Sequence, residues 1–410
     1  MTHRVVVTGM AGLCPLGSHW DEVKTKLLAK TSGITLQPGW DTIKGLRTRL
    51  GATVSDFQRP SHYPRKKIRT MGRVALLATR ATELALEQAG LKGNPVLHEH
   101  TTGVAYGSTS GSPPALQYFV EQLIVNKTLE GITGAHFTQY MSHTCAANIG
   151  QFFEIKGRIM PTSSACTAGS QAIGFAYEAI KYGRQNIMIA GGAEELHVAS
   201  AAVFDVVYAT SKRNEHPDKT PRPFDVDRDG LVAGEGAATL ILESLDHAQQ
   251  RGVPILAEIV GFATNCDGAH MVNPSIEGMQ QVMQLALQEA NLSPDAIDYV
   301  NAHATATEVG DIAESHATAA CFKRLIPISS LKSYMGHTFG ACGAVEAWLC
   351  IHMMAEGWLA PTINLDRVDP RCADLDYLTD IRPCQPVYIM SNNFAFGGIN
   401  TSLIFKRWDP

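Results

Sequence analysis

Hydrophobic and polar positions along the chain follow two periods, one typical of strands and one typical of helices. Short apolar runs predict strands over residues 4–9, 102–108, 186–192, 237–243, 255–265, 297–304, 326–332, 387–394 and 401–406. Between them, apolar residues recur at helical spacing, so that Val74, Leu77 and Ala81 share one face of a helix predicted over 69–90. A second helix of this kind is predicted over 276–291. Strands that alternate with such helices predict a layered α/β fold with largely parallel sheets.

The chain contains two segments that share a weakly similar sequence pattern. Small residues at 161–170 lead into a helical pattern at 171–182, and a second run of small residues at 333–343 leads into another at 344–356. Each run permits close approach of backbones and then opens a helix. The pattern indicates a duplicated half. No low-complexity linker divides the chain. The polar stretch at 246–254 is therefore the best candidate for a boundary between two parts of the chain.

The composition is that of a compact enzyme. The 410 residues are 45% hydrophobic and include 36 glycines, and 34 basic against 39 acidic residues give a net charge of -5. This balance argues against a globally basic nucleic-acid-binding protein. No apolar segment reaches the roughly 18–20 residues needed to span a bilayer, and the first residues lack the apolar region of a signal peptide. The nine cysteines are odd in number and form no C-x-x-C pair, so we expect a cytoplasmic protein with free thiols and no membrane or nucleic-acid partner.

Two segments resemble metal sites but lack the full pattern. The segment from Asp225 to Gly230 begins like a calcium-binding EF-hand loop, yet its twelfth position is Gly236 rather than a glutamate. His98 and His100 could bind a metal, but a solvated loop is the simpler interpretation. We therefore expect no bound metal.

Cys166 stands among small residues where a helix is predicted to begin. The positive end of a helix dipole and unpaired amides favour a thiolate there, although this segment alone also fits a buried structural cysteine. Two histidines favour a catalytic role for Cys166 over a structural one. His303 follows a predicted strand, and His337 precedes a glycine-rich helix start. One cysteine and two histidines in equivalent strand–loop–helix positions predict acyl-thioester chemistry.

These residues lie in motifs that cover nearly the whole chain. The motifs are VVVTGM at 5–10, ACTAG at 165–169, AGGAE at 190–194, RPFDVDRDG at 222–230, GEG at 234–236, PTINL at 361–365 and NFAFGGIN at 393–400, besides the two histidine segments. With these motifs in this order, the sequence resembles the β-ketoacyl-acyl-carrier-protein synthases, the elongating condensing enzymes of the thiolase superfamily.

The resemblance implies a thiolase-like, five-layered αβαβα fold made of two similar halves. The N-terminal half, residues 1–250, would carry the nucleophile, and the C-terminal half, residues 251–410, would carry both histidines. The implied enzyme is an acyltransferase, a 3-oxoacyl-[acyl-carrier-protein] synthase. It would join malonyl units to an acyl chain by decarboxylative condensation, in fatty acid, polyene or polyketide-type biosynthesis, including aryl polyenes.

The resemblance also implies the substrates' carrier and the assembly. Both substrates would arrive on the phosphopantetheine of an acyl carrier protein, and the enzyme itself would bind no cofactor. Members are usually dimers in which the partner lines the acyl pocket through residues 137–148. A homodimer is expected, and a heterodimer with a related ketosynthase subunit stays open.

Residue roles carry over by position in the matching motifs. Cys166 would hold the acyl chain as a thioester, while His303 and His337 would donate hydrogen bonds to the malonyl thioester oxygen. Lys332 and Glu346 complete the catalytic set as an ion pair with a supporting role. The backbone amides of Cys166 and Phe396 would form the oxyanion hole. The remaining implied roles are a mobile aromatic gate formed by Phe394 and Phe396, and contacts to pantetheine made by Thr305 and Thr307.

The sequence departs from the family pattern near the nucleophile. Ala304 and Ala395 stand where glycine is usual, and Ile399 stands where threonine is usual, so the mobility of the gate loop is expected to differ. Ser110 falls where a bulky apolar residue is common. An acyl pocket of altered shape or polarity follows, suited to a polyene or polyketide intermediate rather than a simple saturated chain.

One basic patch bears on partners. It carries five basic residues within residues 65–73 of an acidic chain, namely Arg65, Lys66, Lys67, Arg69 and Arg73. A solvated helix start would explain it, and so would a docking surface for an acidic carrier protein.

Two other functions are compatible with parts of the pattern. A thiolase acting on coenzyme A thioesters would use a second cysteine as base, whereas this chain pairs His303 with His337. A chain-length-factor-like subunit, which shapes a partner's pocket without catalysis, typically lacks the nucleophile that Cys166 supplies here.

Overall fold

The computed structural model describes residues 2–409 of the chain. These residues contain thirteen α-helices: α1 (Trp20–Leu28), α2 (Arg65–Ile68), α3 (Arg73–Gln88), α4 (Pro113–Val120), α5 (Gly134–Tyr140), α6 (Thr144–Phe152), α7 (Ala168–Lys181), α8 (Val198–Asp205), α9 (Leu245–Arg251), α10 (Ile276–Ala290), α11 (Glu308–Phe322), α12 (Lys332–Met335) and α13 (Cys342–Glu356). No helix among residues 2–409 combines the length and the apolar character needed to cross a membrane.

The strands of residues 2–409 are β1 (Val5–Leu13), β2 (Thr35–Leu36), β3 (Leu50–Ala52), β4 (Thr102–Gly107), β5 (Ile159–Thr162), β6 (Ile187–Glu194), β7 (Ala233–Gly234), β8 (Gly236–Ser244), β9 (Ala257–Cys266), β10 (Tyr299–Asn301), β11 (Pro327–Ser329), β12 (Trp358–Leu359), β13 (Asp376–Tyr377), β14 (Arg382–Pro383), β15 (Tyr388–Ala395) and β16 (Ile399–Arg407). Eleven of them form one sheet in the order β13-β11-β10-β15-β16-β9-β1-β8-β6-β4-β5. Strands from the first and second parts of the chain meet where β1 pairs with β9.

Helices cover both faces of this sheet. The apolar faces of α3 and α6 pack on β1, β8 and β4, while α10 packs on β9 and β16 and contacts α11. Two apolar helices, α7 and α13, lie between the two parts of the sheet and contact each other and strands of both. The order of layers is helix, sheet, helix, sheet, helix, as the predicted thiolase-like fold requires.

The predicted strands and helices are present, but the direction of the sheet and several bounds are wrong. The strand predicted over 297–304 spans only Tyr299–Asn301, and the helix predicted over 69–90 begins at Arg73. The sheet is mixed, because β1, β8, β9, β15 and β16 pair antiparallel, and the parallel pairs lie toward its two ends. The strand predicted over 326–332 ends at Ser329, and the helix α12 begins at Lys332. Nearly every residue from 326 to 335 is buried, polar ones included, so no hydrophobic period separates strand from helix there.

The two segments with a similar sequence pattern form two equivalent turns. Each consists of one 3-10 turn followed by a central helix: Ala165–Thr167 precedes α7, and Phe339–Ala341 precedes α13. In each turn the first residue has a left-handed backbone, with φ of 50° at Ala165 and 46° at Phe339. Such a conformation costs a residue with a Cβ about 1–2 kcal/mol, so its occurrence twice indicates that both turns are held by their surroundings.

Candidate active site

Cys166 is the middle residue of the first of these turns, between β5 and the buried helix α7. The left-handed conformation of Ala165 reverses the chain immediately before it, and the side chain of Cys166 points into the protein with 5% of its surface exposed. The backbone N–H groups of Cys166 itself and of Phe396 face the sulfur. These are the two donors predicted for the oxyanion hole, and they lie on opposite halves of the chain.

Burial raises the pKa of the Cys166 thiol to about 12. The charge of Lys332 and the two backbone N–H groups act in the opposite direction but do not overcome the loss of solvation. The expectation that the start of a helix would favour a thiolate is therefore wrong for the resting protein. Cys166 is a neutral thiol until a substrate or a change of environment stabilises its charge.

His337 lies directly against this thiol. Its Nε2 atom is 3.0 Å from the Cys166 sulfur, and its Nδ1 atom accepts a hydrogen bond from the backbone N–H of Phe339 at 3.3 Å. Burial and the nearby Lys332 hold the pKa of His337 well below its ordinary value, so the ring is neutral. Since Nδ1 accepts, the single ring proton is on Nε2. His337 thus presents a hydrogen-bond donor to the reacting atoms.

His303 follows β10 and completes the cluster. Its ring meets that of His337 edge-to-face with centroids 5.1 Å apart, and the nearest ligand-type atoms of Cys166, His303 and His337 all lie within 4.8 Å of one another. Burial, the charge of Lys332 and the neighbouring His337 lower the pKa of His303, so this ring is also neutral. Its Nδ1 atom is buried with no hydrogen-bond partner among the described residues. One thiol and two imidazoles are also a possible ligand set for a transition metal.

Lys332 and Glu346 form a fully buried ion pair behind the cluster. The Lys332 Nζ atom donates to Glu346 Oε1 at 2.5 Å, and Asn393 Nδ2 donates to Glu346 Oε2 at 2.7 Å. Neither Lys332 nor Glu346 lines the central cavity. The pair joins α12 to α13, and the positive charge of Lys332 favours the uncharged form of both histidines.

A cavity of about 430 Å³ opens onto the cluster. Seven of the predicted site residues line it: Cys166, His303, His337, Thr305, Thr307, Phe394 and Phe396. The hydroxyl groups of Thr305 and Thr307 lie 3.0 Å apart along its wall. At the mouth the lining becomes apolar and exposed, with Val207, Tyr208 and Met271. The cavity is a channel from solvent to a buried thiol.

The two predicted gate residues differ in their surroundings. Phe394 is buried, and its ring centroid lies 6.1 Å from that of His303. Phe396 is 37% exposed and lies in the turn between β15 and β16. Its ring centroid lies 5.2 Å from that of Phe204. Gly397 and Gly398 beside it have φ of 91° and 72°, the left-handed region that glycine enters without strain. Only Phe396 is therefore placed to move at the mouth without disturbing the core.

The basic patch lies apart from this cavity, and its members have different partners. Lys67 binds Glu154 at 2.9 Å, and Arg73 binds the buried Glu235 at 2.6 Å, so both charges are already paired. Arg65, Lys66 and Arg69 are exposed. Together with Arg59, which the sequence analysis did not select, Arg65 and Arg69 surround a shallow cavity with an apolar floor formed by Ile68, Met71 and Leu76.

Sequence reasoning missed three buried side chains that hold the site. The carboxylate of Glu314 accepts the backbone N–H groups of His303 at 2.8 Å and Ala304 at 2.6 Å. Asn393 binds Glu346, and Glu194 binds the turn that follows His337. Glu194 and Asn393 lie inside motifs already recognised, but no local signal distinguished their roles. Glu314 is an ordinary position on α11, and only the folded chain brings it to His303.

Comparison with known proteins agrees with this geometry. Residues 2–248 match the model of the β-ketoacyl synthase N-terminal domain, and residues 256–366 match that of the β-ketoacyl synthase C-terminal domain. The chain belongs to the β-ketoacyl synthase family. The predictions of a thiolase-like fold and of a condensing acyltransferase are thereby confirmed.

Individual relatives resemble the whole chain. The 3-oxoacyl-[acyl-carrier-protein] synthase 1 of Haemophilus influenzae is 36% identical over 99% of each chain. A solved β-ketoacyl synthase from Burkholderia phymatum STM815 is 54% identical with a TM-score of 0.97, covering 99% of this chain and 100% of its own. The ishigamide ketosynthase/chain length factor is 29% identical with a TM-score of 0.92, and all of both chains is covered.

Proposed function

We propose that this ketosynthase joins a malonyl unit to an acyl chain held on Cys166, with both groups delivered by an acyl carrier protein. The observation that carries the proposal is the placement of a neutral His337, with its proton on Nε2, 3.0 Å from the Cys166 sulfur at the end of a solvent channel. The reaction needs a nucleophile that can be acylated and donors that stabilise an enolate, and it needs no strong base.

In the first step, the Cys166 sulfur attacks the thioester carbonyl of the acyl carrier. The backbone N–H groups of Cys166 and Phe396 stabilise the negative charge on the carbonyl oxygen. The carbon–sulfur bond to the carrier breaks, and the proton of the Cys166 thiol is transferred to the departing carrier thiol. The raised pKa of Cys166 is compatible with this step because the thiol proton leaves only as the new bond forms.

In the second step, a malonyl carrier occupies the same channel, with its thioester oxygen facing His303 and His337. Carbon dioxide leaves, and the two imidazoles donate hydrogen bonds to the enolate oxygen that results. The enolate carbon attacks the acyl carbonyl on Cys166, a carbon–carbon bond forms, and the carbon–sulfur bond to Cys166 breaks. The product is a β-ketoacyl carrier, and Cys166 leaves as a thiolate that takes a proton from solvent through the open channel. Protein residues supply every group these steps require, so we propose a reaction without bound metal or cofactor.

The residues next to the nucleophile bear on the chemical character of the acyl chain. Small polar residues lie close to the nucleophile along the chain. Ser163 and Ser164 precede Cys166, and the hydroxyl of Ser163 donates at 3.2 Å to the carbonyl of Thr109, which follows β4 together with Ser110. The hydroxyl of Ser164 is buried without a hydrogen-bond partner among the described residues. A chain with unsaturation or oxygen substituents fits these surroundings better than a saturated hydrocarbon, which supports a polyene or polyketide intermediate as the substrate.

Two partners are proposed. The carrier protein would dock on Arg59, Arg65 and Arg69, which form no ion pair within residues 2–409. These cations would meet acidic residues while Ile68 meets an apolar side chain. A second copy of the chain, or a related subunit, would cover the exposed apolar residues of the segment from α4 to α5. These include Val125 at 70% exposure and Leu129 at 71%. A homodimer is the simpler assembly because it requires no second sequence.

One assay tests the function and the substrate together. Purified protein is incubated with malonyl carrier and either a saturated or a polyene acyl carrier, and carrier-bound products are measured by mass spectrometry. We expect a β-ketoacyl product lengthened by two carbons, formed faster from the polyene. Equal or faster use of the saturated chain would reject the substrate class alone.

The same assay with a Cys166→Ala variant tests the enzyme itself. The variant should form no product. No product from the wild-type protein with any acyl carrier would favour the second candidate, a chain-length-factor-like subunit, which Cys166 in an open channel argues against.

A further inference from the structure

Glu194 is the last residue of β6 and is buried, yet none of the proposed steps uses it. Its Oε2 atom accepts two backbone N–H groups, that of Thr109 at 2.8 Å and that of Gly340 at 3.1 Å. The two donors are far apart in the sequence and belong to different halves of the chain. A single carboxylate oxygen therefore joins the loop after β4 to the turn before α13.

Both loops border the nucleophile. Thr109 follows β4, and its carbonyl accepts a hydrogen bond from Ser163 near Cys166. Gly340 is the middle residue of the turn Phe339–Ala341, and the N–H of Phe339 in that turn sets the proton of His337 on Nε2. Any movement of this turn would therefore alter both the orientation and the tautomer of His337.

Comparison of the two equivalent turns shows what Glu194 binds. Gly340 occupies the same place in its 3-10 turn as Cys166 does in the other. The N–H of Cys166 faces the sulfur, where substrate oxygen would bind, whereas the equivalent N–H of Gly340 is bound by Glu194. The N–H of Cys166 is thus left free to bind substrate, whereas the equivalent N–H of Gly340 binds Glu194 and fixes the turn to the loop after β4.

Glu194, Thr109 and Gly340 form a closely packed junction. A Cβ atom on Gly340 would lie 2.7 Å from the backbone nitrogen of Thr109 and 2.8 Å from Glu194 Oε2, closer than real contacts. The turn, the loop after β4 and the carboxylate are therefore packed as one unit, and loss of the carboxylate would leave two buried N–H groups unpaired.

We infer that Glu194 is a positioning residue for the condensation reaction, holding the Gly340 turn and, through the N–H of Phe339, the donor orientation of His337. The inference rests on the proposed function, since it assigns His337 to stabilisation of the malonyl enolate. It separates two degrees of dependence within the site. Glu194 binds the turn next to His337 directly, whereas it reaches the turn that carries Cys166 only through Thr109 and Ser163.

The test measures two partial reactions on three variants of the full-length protein. Decarboxylation of malonyl carrier without an acyl donor reports on the histidines, and acyl transfer to Cys166 reports on the nucleophile. Glu194→Met removes the acceptor at nearly constant volume, and Glu194→Gln retains an oxygen that can accept both N–H groups. The control is Glu195→Met, because Glu195 is equally buried but binds the N–H of Val74 at the start of α3.

We expect Glu194→Met to lower kcat for decarboxylation roughly tenfold, with KM unchanged, because the buried hydrogen bond that holds the turn is lost. Acyl transfer to Cys166, and both reactions of Glu194→Gln and Glu195→Met, should stay within about threefold of wild type. Should Glu194→Met not fold, Gly340→Ala disturbs the same junction from the other side and should show the same split.

Three results would overturn the inference: equal loss of both partial reactions in Glu194→Met, equal loss in Glu194→Met and Glu195→Met, or no split in Gly340→Ala. Absence of decarboxylation in the wild-type protein would instead reject the proposed function. The two failures are therefore distinguishable.

Discussion

Cys166, His303 and His337 are all uncharged in the resting site, because burial opposes the charged form of each. Lys332, the fixed positive charge nearby, keeps the imidazoles neutral and favours any negative charge that develops on the sulfur. The site is therefore arranged to stabilise charge that appears during reaction, rather than to hold a reactive ion at rest.

The pH dependence of Cys166 alkylation follows from this arrangement. Only the thiolate reacts with iodoacetamide, and with a pKa of about 12 the thiolate fraction of Cys166 should rise about tenfold per pH unit between about pH 7 and pH 10. Peptide mass spectrometry across this range measures the rate at Cys166, and labelling of the exposed Cys266 controls for the reagent. A rate at Cys166 that levels off below about pH 9 would show that the site stabilises a thiolate before substrate binds.

The central helices depend on the buried pair that joins α12 to α13. Lys332→Met should lower the free energy of unfolding by about 3–5 kcal/mol, because Glu346 would be left charged and unpaired in the core. Urea denaturation measures the change. The double variant Lys332→Met/Glu346→Leu should recover most of this loss, since an apolar pair of similar volume can replace a buried ion pair. A double variant no more stable than the single one would show that the pair is not the source of the effect.

At the scale of secondary-structure elements, the turn between β15 and β16 offers a matched test of the gate. Gly397 and Gly398 both have a positive φ, so alanine strains either position by about 1 kcal/mol. A Cβ on Gly398 would also lie 2.9 Å from the Cβ of Asp267, whereas a Cβ on Gly397 would meet nothing closer than 3.9 Å.

Gly398→Ala should therefore displace Phe396 and its N–H from the oxyanion hole and slow acyl transfer to Cys166 roughly tenfold, while Gly397→Ala should stay within about threefold. Stopped-flow measurement of acylation gives both rates. Equal rates in the two variants would mean that the position of this turn does not limit acylation.

How far the sequence predicts these elements depends on what determines each one. Every predicted strand is present, because apolar runs bounded by turns require no tertiary information. The mixed direction of the sheet was not predicted, since strand pairing across the two halves has no local signature. The convergence of Cys166, His303 and His337 was predicted. The predicted preference of Cys166 for the thiolate is wrong, because the start of a helix is visible in the sequence and the burial of the thiol is not. Glu314 and Glu194 were missed because their partners are backbone N–H groups of distant loops.

For the whole molecule, the cations proposed to dock the carrier lie outside the lining of the channel that leads to Cys166. Lys67 and Arg73 are bound to carboxylates, while Arg65 and Arg69 line a shallow cavity that shares no lining residue with the channel. The double variant Arg65→Glu/Arg69→Glu should raise KM for carrier-bound substrates at least about tenfold with little change in kcat, because it reverses the field that steers the carrier.

Steady-state kinetics with carrier-bound and small thioester substrates measures this effect. The small thioester should be used almost equally by the variant and the wild type, and Lys44→Glu, an exposed lysine outside the patch, is the charge control. A similar rise in KM for both kinds of substrate would place the carrier elsewhere on the surface.

The most direct test of the whole account is the mass of Cys166 itself during turnover. After incubation with acyl carrier, intact-protein and peptide mass spectrometry should find the acyl group on Cys166, and addition of malonyl carrier should remove it as the β-ketoacyl product appears. An unmodified Cys166, or an acyl group on Cys166 that malonyl carrier does not discharge, would contradict the proposal that this site carries out condensation.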